Sequence, residues 1–240
     1  MAYKPVQIRD RVLGNKGARA ATDKELKRLL YWANQGRNPE RNELIVFMQL
    51  NSFRITETAT VPLHILMWPS GIWRDEIIIP AKLCKNNKAN HMLFVNKRLR
   101  KAADSYVQVR LKRKHRLSGN NKVYRGLDPN APLVLAEGGK VYSLKKKTRI
   151  NKSKTEITYW AADTLQEAFT RWCNSANFKG AISSHSGRKV FSSRLAKNPK
   201  TSQEDIIAVL LRHNDESTIY NYIQETTATN RIITSLYENL

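Results

Sequence analysis

The sequence predicts an α+β domain that is mainly α-helical and carries a small antiparallel β-sheet. Apolar residues recur at helical spacing along most of the 240-residue chain. Two short runs rich in β-branched residues, joined by a polar connection, predict a hairpin. No internal repeat or low-complexity linker divides the chain. A composition of 41% hydrophobic and 26% charged residues is sufficient for one large folded domain.

The chain is expected to begin with a flexible basic arm, residues 1–21. The main domain should span 22–226 and open with a helix, because Thr22 and Glu25 have the spacing of a capping box. Gly36 should close this first helix.

The next segments supply a buried helix, the hairpin and a basic helix. Residues 41–53 predict a largely buried helix that runs into Arg54. Short strands are predicted at 76–80 and 91–95. A basic helix should cover about 97–113.

The second half is predicted to return to helices after a long loop. The stretch 117–156 should be mostly loop, with one apolar run at 131–136. Further helices are predicted at 158–175, 186–197, 203–212 and 217–225. The C-terminal segment, 227–240, is amphipathic, with its apolar face formed by Ile232, Ile233, Leu236 and Leu240.

Positive charge is the strongest compositional feature. The chain has 42 Lys and Arg against 20 Asp and Glu, a net charge of +22, and residues 82–154 hold 21 of the former against 3 of the latter. Such a surplus predicts a nucleic-acid surface, although any one cluster could be a solvated face. The first cluster begins at Arg110. The expected DNA contacts are Lys112, Arg113, Lys114, Arg116, Lys145, Lys146, Lys147 and Arg149.

Cysteine usage and hydropathy predict a soluble, cytoplasmic protein. Cys84 and Cys173 are far apart and form neither a zinc-like spacing nor a secreted disulfide framework. No apolar run approaches the length of a membrane span, and the basic start lacks the apolar stretch of a signal peptide. No cluster has metal-ligand spacing, so we expect neither a metal nor another cofactor.

Two sequence patterns could place phosphate-binding and nucleophilic groups together. His185 and Arg188 are three residues apart, which makes their side chains neighbours on one helical face. His213 precedes Tyr222 by nine residues, and a helix break between them would let both face one site. Taken alone, the first pattern fits an ordinary helix N-terminus and the second fits a core tyrosine.

Two further patterns lie in the first half of the chain. Arg54 follows an apolar helix and lies three residues before Glu57, a spacing that also fits an ordinary surface ion pair. The predicted hairpin connection carries Lys82, Lys85 and Lys88, which also fit a charged turn.

Taken in order, these residues resemble the Arg–Lys–His-x-x-Arg–His–Tyr series of the tyrosine recombinases, the phage integrase family. The resemblance covers roughly residues 20–226. The matching strings are TDKELKRLL at 22–30, SHSGRKVF at 184–191 and LLRHNDESTIYNYI at 210–223. The catalytic residues that it implies are Arg54, Lys85, His185, Arg188, His213 and Tyr222.

The resemblance also implies roles and partners. Tyr222 would attack a DNA phosphate in double-stranded DNA without ATP, and Glu57 would orient Arg54. Lys85 is preferred as general acid because it lies six positions after the isoleucine of the Ile-Pro pair, although Lys82 and Lys88 stay open. Site-specific recombination by a homotetramer, with accessory DNA-bending proteins, in a phage, prophage or mobile element is expected. The C-terminal segment would be exchanged between subunits or would pack on its own chain.

The sequence departs from the family in three respects. Ser52 and Arg212 stand where the family has glycine, which questions the backbone geometry at both positions. Only about 21 residues precede the main domain, so the core-binding domain of the family is missing, as in a minimal enzyme or a fragment. A type IB topoisomerase and a truncated, non-catalytic DNA-binding regulator are the alternative functions.

Overall fold

The computed structural model describes residues 20–84, 89–150, 156–178, 185–198 and 233–240. These residues form a mainly helical α+β fold with seven α-helices and two separate two-stranded antiparallel sheets. The predicted fold class is therefore confirmed. Among the described residues, no helix is both long and apolar enough to cross a membrane.

Helix α1 (Asp23–Asn34) begins at the predicted capping box. The Thr22 hydroxyl oxygen accepts from the Glu25 amide at 3.3 Å, and the Glu25 carboxylate accepts from the Thr22 amide at 2.9 Å. Gly36 follows the helix for a steric reason, because a Cβ there would lie 2.7 Å from Asn42 Nδ2. The helix end is thus packed against the start of the next helix.

Helix α2 (Pro39–Leu50) is the centre of the core and packs against four other helices. Its residues 44–48 have no exposed surface. The predicted helix over 41–53 is wrong at its end, because α2 stops at Leu50. Arg54 is the N-cap of the next helix, α3 (Ile55–Thr60). The one-turn helix α4 (Leu63–Leu66) follows.

A Schellman motif ends α2. The Ser52 amide donates to the Gln49 carbonyl at 3.2 Å, and the Phe53 amide donates to the Met48 carbonyl at 3.1 Å. Ser52 has a φ of 72°, in the left-handed region that favours glycine. The serine thus takes a backbone conformation that glycine adopts more readily.

The predicted hairpin is confirmed as strands β1 (Glu76–Ile79) and β2 (Asn90–Leu93). The predicted basic helix is α5 (Lys97–Lys112), which packs along α2. Its N-cap is Asn96, whose side chain accepts from the Leu99 amide at 3.0 Å.

The second hairpin is a correction to the prediction of a loop over 117–156. Strands β3 (Lys145–Ile150) and β4 (Glu156–Ala161) pair in antiparallel register. The helix predicted from 158 starts at 163 as α6 (Asp163–Ser175). Exposed and half-buried residues alternate along β4, the period of two that is typical of a strand.

The apolar run at 131–136 crosses the core without regular structure, and Leu133, Val134 and Leu135 have no exposed surface. Arg110 is also fully buried and donates to the carbonyls of Pro132 and Leu133, at 3.0 and 3.1 Å. Arg110 is therefore a structural residue, and its grouping with the DNA-contacting cations is wrong.

Helix α7 (His185–Lys197) confirms the helix predicted at 186–197, and it packs against α2. Residues 233–240 lie on the same chain's core. Ile233 is buried, and Tyr237 packs edge-on against Phe47 and donates its hydroxyl to the Leu50 carbonyl. Residues 1–19 of the basic arm and the helices predicted at 203–212 and 217–225 lie outside the described residues, whereas Ala20 and Ala21 pack against the core. Subunit exchange of the tail stays a prediction.

Candidate functional site

Arg54 is held at the start of α3 by a buried carboxylate. Its backbone amide donates to Glu57 Oε2 at 2.7 Å, and its guanidinium donates to Glu57 Oε1. The Glu57 side chain is 1% exposed, whereas the Arg54 side chain is 27% exposed. An ordinary surface pair would leave both groups in solvent. Here the Glu57 carboxylate is buried, and the Arg54 guanidinium that it orients reaches the surface.

Asn90 also binds this carboxylate, from the first residue of β2. Its side-chain amide donates to Glu57 Oε1 at 3.1 Å, and the residue is 2% exposed. Glu57 therefore ties the first hairpin to the helix that Arg54 caps. No pattern in the sequence indicates this contact, because Asn90 reaches Glu57 only when β2 pairs with β1.

Arg188 approaches the same place from α7. Its Nη1 donates to the Ser52 carbonyl at 3.3 Å, just before Arg54 in the chain. Burial lowers the pKa of Arg188, the nearby charge of Arg54 lowers it further, and Glu57 opposes both effects. Two guanidiniums from distant parts of the sequence thus lie near one buried carboxylate, and Arg54 donates to it.

Gly187 allows α7 to come this close. A Cβ at this position would lie 2.7 Å from the Gln49 carbonyl oxygen and 2.9 Å from its carbonyl carbon. Both atoms belong to the backbone of α2 and cannot swing away. The glycine in the His-Ser-Gly-Arg string therefore sets the distance between Arg188 and the end of α2.

Of the remaining predicted site residues, the structure describes only part. His185 is the first residue of α7. Lys82 is exposed on a short 3-10 helix, Ala81–Leu83, that packs against α3. The predicted site residues that lie outside the described part of the chain are Lys85, His213 and Tyr222. The side chain of His185 also lies outside it.

The grouped charges favour an anion. Arg54 and Arg188 together carry more positive charge than Glu57 can balance, and like charges held in a partly buried site repel each other. Guanidiniums donate paired hydrogen bonds in a geometry that matches phosphate oxygens. Among the described residues, no group of three His, Cys, Asp or Glu side chains could hold a metal ion.

The predicted DNA contacts fall on two surfaces. Lys112, Arg113, Lys114 and Arg116 lie exposed at and after the end of α5. Lys145, Lys146, Lys147 and Arg149 lie exposed on β3. Both groups stay predictions as DNA contacts.

The fold and the site define an α+β protein with a paired-arginine site suited to an anion. No protein-family model matches the sequence, and no curated protein is similar enough to match it. The chain is similar to a solved structure titled "Crystal structure of XerA recombinase", with 14% identity and a TM-score of 0.47. The match covers 88% of this chain and 65% of that chain, so this chain spans less than two thirds of that protein. A similarity at this level concerns the fold alone.

Proposed function

We propose that the protein is a site-specific DNA recombinase of the tyrosine type. It cleaves and rejoins double-stranded DNA through a covalent intermediate on Tyr222. The observation that carries this proposal is the approach of Arg188, which donates to the Ser52 carbonyl, to Arg54, which is paired with the buried Glu57. The positive charge of the chain and the order of the motifs in its sequence add support.

The paired guanidiniums suit the transfer of a phosphoryl group. Negative charge gathers on the non-bridging oxygens in the transition state, and fixed donors stabilise it without reorganisation. Glu57 and Asn90 fix Arg54, and the packing of Gly187 fixes the approach of Arg188. This arrangement supports a role for both arginines as a clamp on one DNA phosphate.

In the proposed reaction, the Tyr222 oxygen bonds to the scissile phosphorus and the bond to the 5′ oxygen breaks. His185 accepts the phenol proton, and Lys85 donates a proton to the leaving 5′ oxygen. His213 donates a hydrogen bond to the phosphate. The products are a 3′-phosphotyrosine and a free 5′-hydroxyl, and reversal of these steps rejoins DNA without ATP. Action as a tetramer, within a phage or mobile element, belongs to the same proposal.

The proposal is tested with a pool of nicked duplexes of randomised sequence, so that no target site need be known. We expect a covalent protein–DNA adduct that resists denaturation and carries its nucleotide on the peptide that contains Tyr222. Tyr222→Phe should abolish it. Tyr220, two residues earlier in the predicted helix, is the rival nucleophile, and Tyr220→Phe should leave the adduct intact. An adduct lost only in Tyr220→Phe would move the nucleophile, and absence of any adduct would contradict the proposal.

The general acid has a separate test. Lys85→Ala should form adduct slowly on an ordinary phosphodiester and at the wild-type rate on a 5′-bridging phosphorothiolate, whose leaving group needs no proton. Lys82→Ala and Lys88→Ala are the matched controls. Rescue at one of these positions instead would transfer the role to that lysine.

A further inference from the structure

We propose that the β3–β4 hairpin is a base-reading ribbon that lies in the major groove of the DNA substrate. This inference rests on the proposed function for its ligand, duplex DNA, and adds the element that selects the sequence. The contact surface is one face of the hairpin, here called the outer face. It consists of Lys146, Thr148, Ile150, Glu156, Thr158 and Trp160.

The strand register defines this face. Directly paired residues in an antiparallel ribbon point to the same side, and successive residues alternate. Thr148 pairs with Thr158, and Lys146 pairs with Trp160. The opposite face contains Ile157 and Tyr159, which are half-buried, and Ala161, which is buried. The ribbon therefore has one side toward the protein and one toward solvent.

The outer face is fully presented, since all six of its side chains are exposed. Ile150 is 75% exposed and Trp160 is 56% exposed. Apolar side chains on the free face of a ribbon favour association with another surface. Ile150 and Trp160 therefore suit this face to contact with a partner.

The ribbon is anchored at its base, so that it can present this face rigidly. Ala161 and the following Ala162 are buried. On the inner side, Lys147 forms an ion pair with Asp163 at 2.7 Å, and the Arg149 guanidinium lies 5.9 Å from the centre of the Tyr159 ring. Lys147 therefore joins the ribbon to α6, and Arg149 of β3 lies near the Tyr159 ring of β4.

Shape favours duplex DNA as the occupant. The charges of the outer face itself, Lys146 and Glu156, balance each other, and the other cations of the two strands, Lys145, Lys147 and Arg149, lie on the inner side. The major groove is about 12 Å wide and admits a two-stranded ribbon, whose strands are about 4.8 Å apart. Threonine hydroxyls, an ammonium and an indole N–H can meet base edges, and threonine methyls can pack on thymine methyls.

The position of the ribbon agrees with this use. Helix α6 follows β4 directly and packs against α3, the helix that Arg54 caps. The ribbon and the paired arginines are thus joined through two adjoining helices. A duplex whose phosphate binds at Arg54 and Arg188 can place a nearby groove on the outer face.

The test selects binding sequences from a pool of random duplexes with the full chain. We expect the wild-type protein to enrich a short motif. Thr148→Ala with Thr158→Ala should reduce discrimination at two or more of its positions by about tenfold each, with less than about threefold change in affinity for unselected DNA. Thr148→Val with Thr158→Val keeps the β-branched shape, so it separates loss of hydroxyls from loss of the fold. Thr170→Ala, at a half-buried position of α6 away from the ribbon, is the matched control.

The outcomes separate this inference from the proposed function. The same motif from wild type and both ribbon variants, or no motif from wild type, would overturn the ribbon as a reader. So would ribbon variants that change only the oligomeric state, which would make the outer face a protein interface. An adduct on Tyr222 in any of these cases would leave the proposed function standing. If the wild type enriched a sequence motif but formed no adduct, the proposed chemistry would be refuted and the ribbon would stand as a DNA reader.

Discussion

At the residue scale, the geometry of the site depends on one buried carboxylate with three donors. Glu57 accepts from the Arg54 amide, the Arg54 guanidinium and the Asn90 side chain. A buried carboxylate is stable only when it is paired and hydrogen-bonded. Removal of one donor should therefore change the position of the others.

Asn90→Ala tests whether this side chain positions Arg54. We expect the rate of adduct formation to fall about tenfold or more, because misplaced donors lose transition-state stabilisation, while affinity for DNA stays the same. Asn42→Ala is the control, since Asn42 is equally buried and donates to the Ala33 carbonyl at 2.8 Å, away from Glu57. The two variants should lose similar stability, about 1–3 kcal/mol. Equal adduct rates in both would refute the positioning role.

Ser52 carries a conformational cost that glycine would remove. Its φ of 72° is unfavourable for a residue with a Cβ. Ser52→Gly should raise the free energy of unfolding by about 0.5–1 kcal/mol, after the greater freedom of glycine in the unfolded chain is subtracted. Urea unfolding measures this change, and a lower stability of the variant would contradict the prediction.

The sequence predicted Arg54, Glu57 and Arg188 but not Asn90, which donates to Glu57. The two arginines were found because their types and order follow a known series. Asn90 was not found because its contact depends on strand pairing and on the turn that ends α2. No local pattern encodes a contact of that kind.

At the element scale, the approach of α7 to α2 is set by Gly187. Gly187→Ala should improve helix propensity by about 1 kcal/mol, yet its Cβ would meet two backbone atoms of Gln49. The steric effect should be larger, so we expect a net loss of about 1–3 kcal/mol and slower adduct formation through displacement of Arg188. Thermal unfolding and adduct rates provide the two readouts.

Gly119→Ala is the matched control for this variant, because a Cβ there would meet no atom within 4 Å. Its stability should stay within about 0.5 kcal/mol of the wild type, as for other exposed substitutions. A Gly187→Ala protein as stable and as active as Gly119→Ala would show that α7 does not need the close approach.

Most helices could be predicted from the sequence, and the second hairpin could not. The capping box at Thr22 and the apolar spacing in α1 are local signals. In contrast, every residue of β3 is exposed, so its run of lysines shows no alternation between buried and exposed residues. Because β3 is stabilised by pairing with β4, its own composition does not indicate a strand.

At the scale of the whole molecule, burial of ionisable groups predicts lower stability in alkali. Burial raises the pKa of Cys173 to about 12, and it raises the pKa values of Tyr106, Tyr142 and Tyr237. A raised folded-state pKa favours folding below the unfolded-state pKa, and this contribution is lost as pH rises toward the folded-state value.

Cys173→Ala isolates one of these groups from the general loss of lysine charge. The stability of the wild type relative to this variant should be constant below pH ~8 and fall by up to about 1.4 kcal/mol per pH unit above the unfolded-state thiol pKa of about 8.5. Urea unfolding between pH 7 and pH 11 measures the difference. A difference that does not change with pH would contradict the burial of a neutral thiol.

The net charge of the whole molecule indicated the class of ligand but not where on the protein that ligand binds. A net charge of +22 favours a polyanion. Only the folded chain separates Arg110, fully buried behind the 131–136 segment, from the exposed cations at the end of α5 and on β3. Burial depends on packing between distant segments, which composition does not contain.

The central claim is that Arg54 and Arg188 neutralise one scissile phosphate. The most direct measurement is adduct formation on a substrate whose scissile phosphate is replaced by a methylphosphonate, which lacks the negative charge. Arg54→Ala and Arg188→Ala should each be impaired on the phosphodiester and regain most of the wild-type rate on one methylphosphonate diastereomer. Equal impairment on both substrates would contradict the claim.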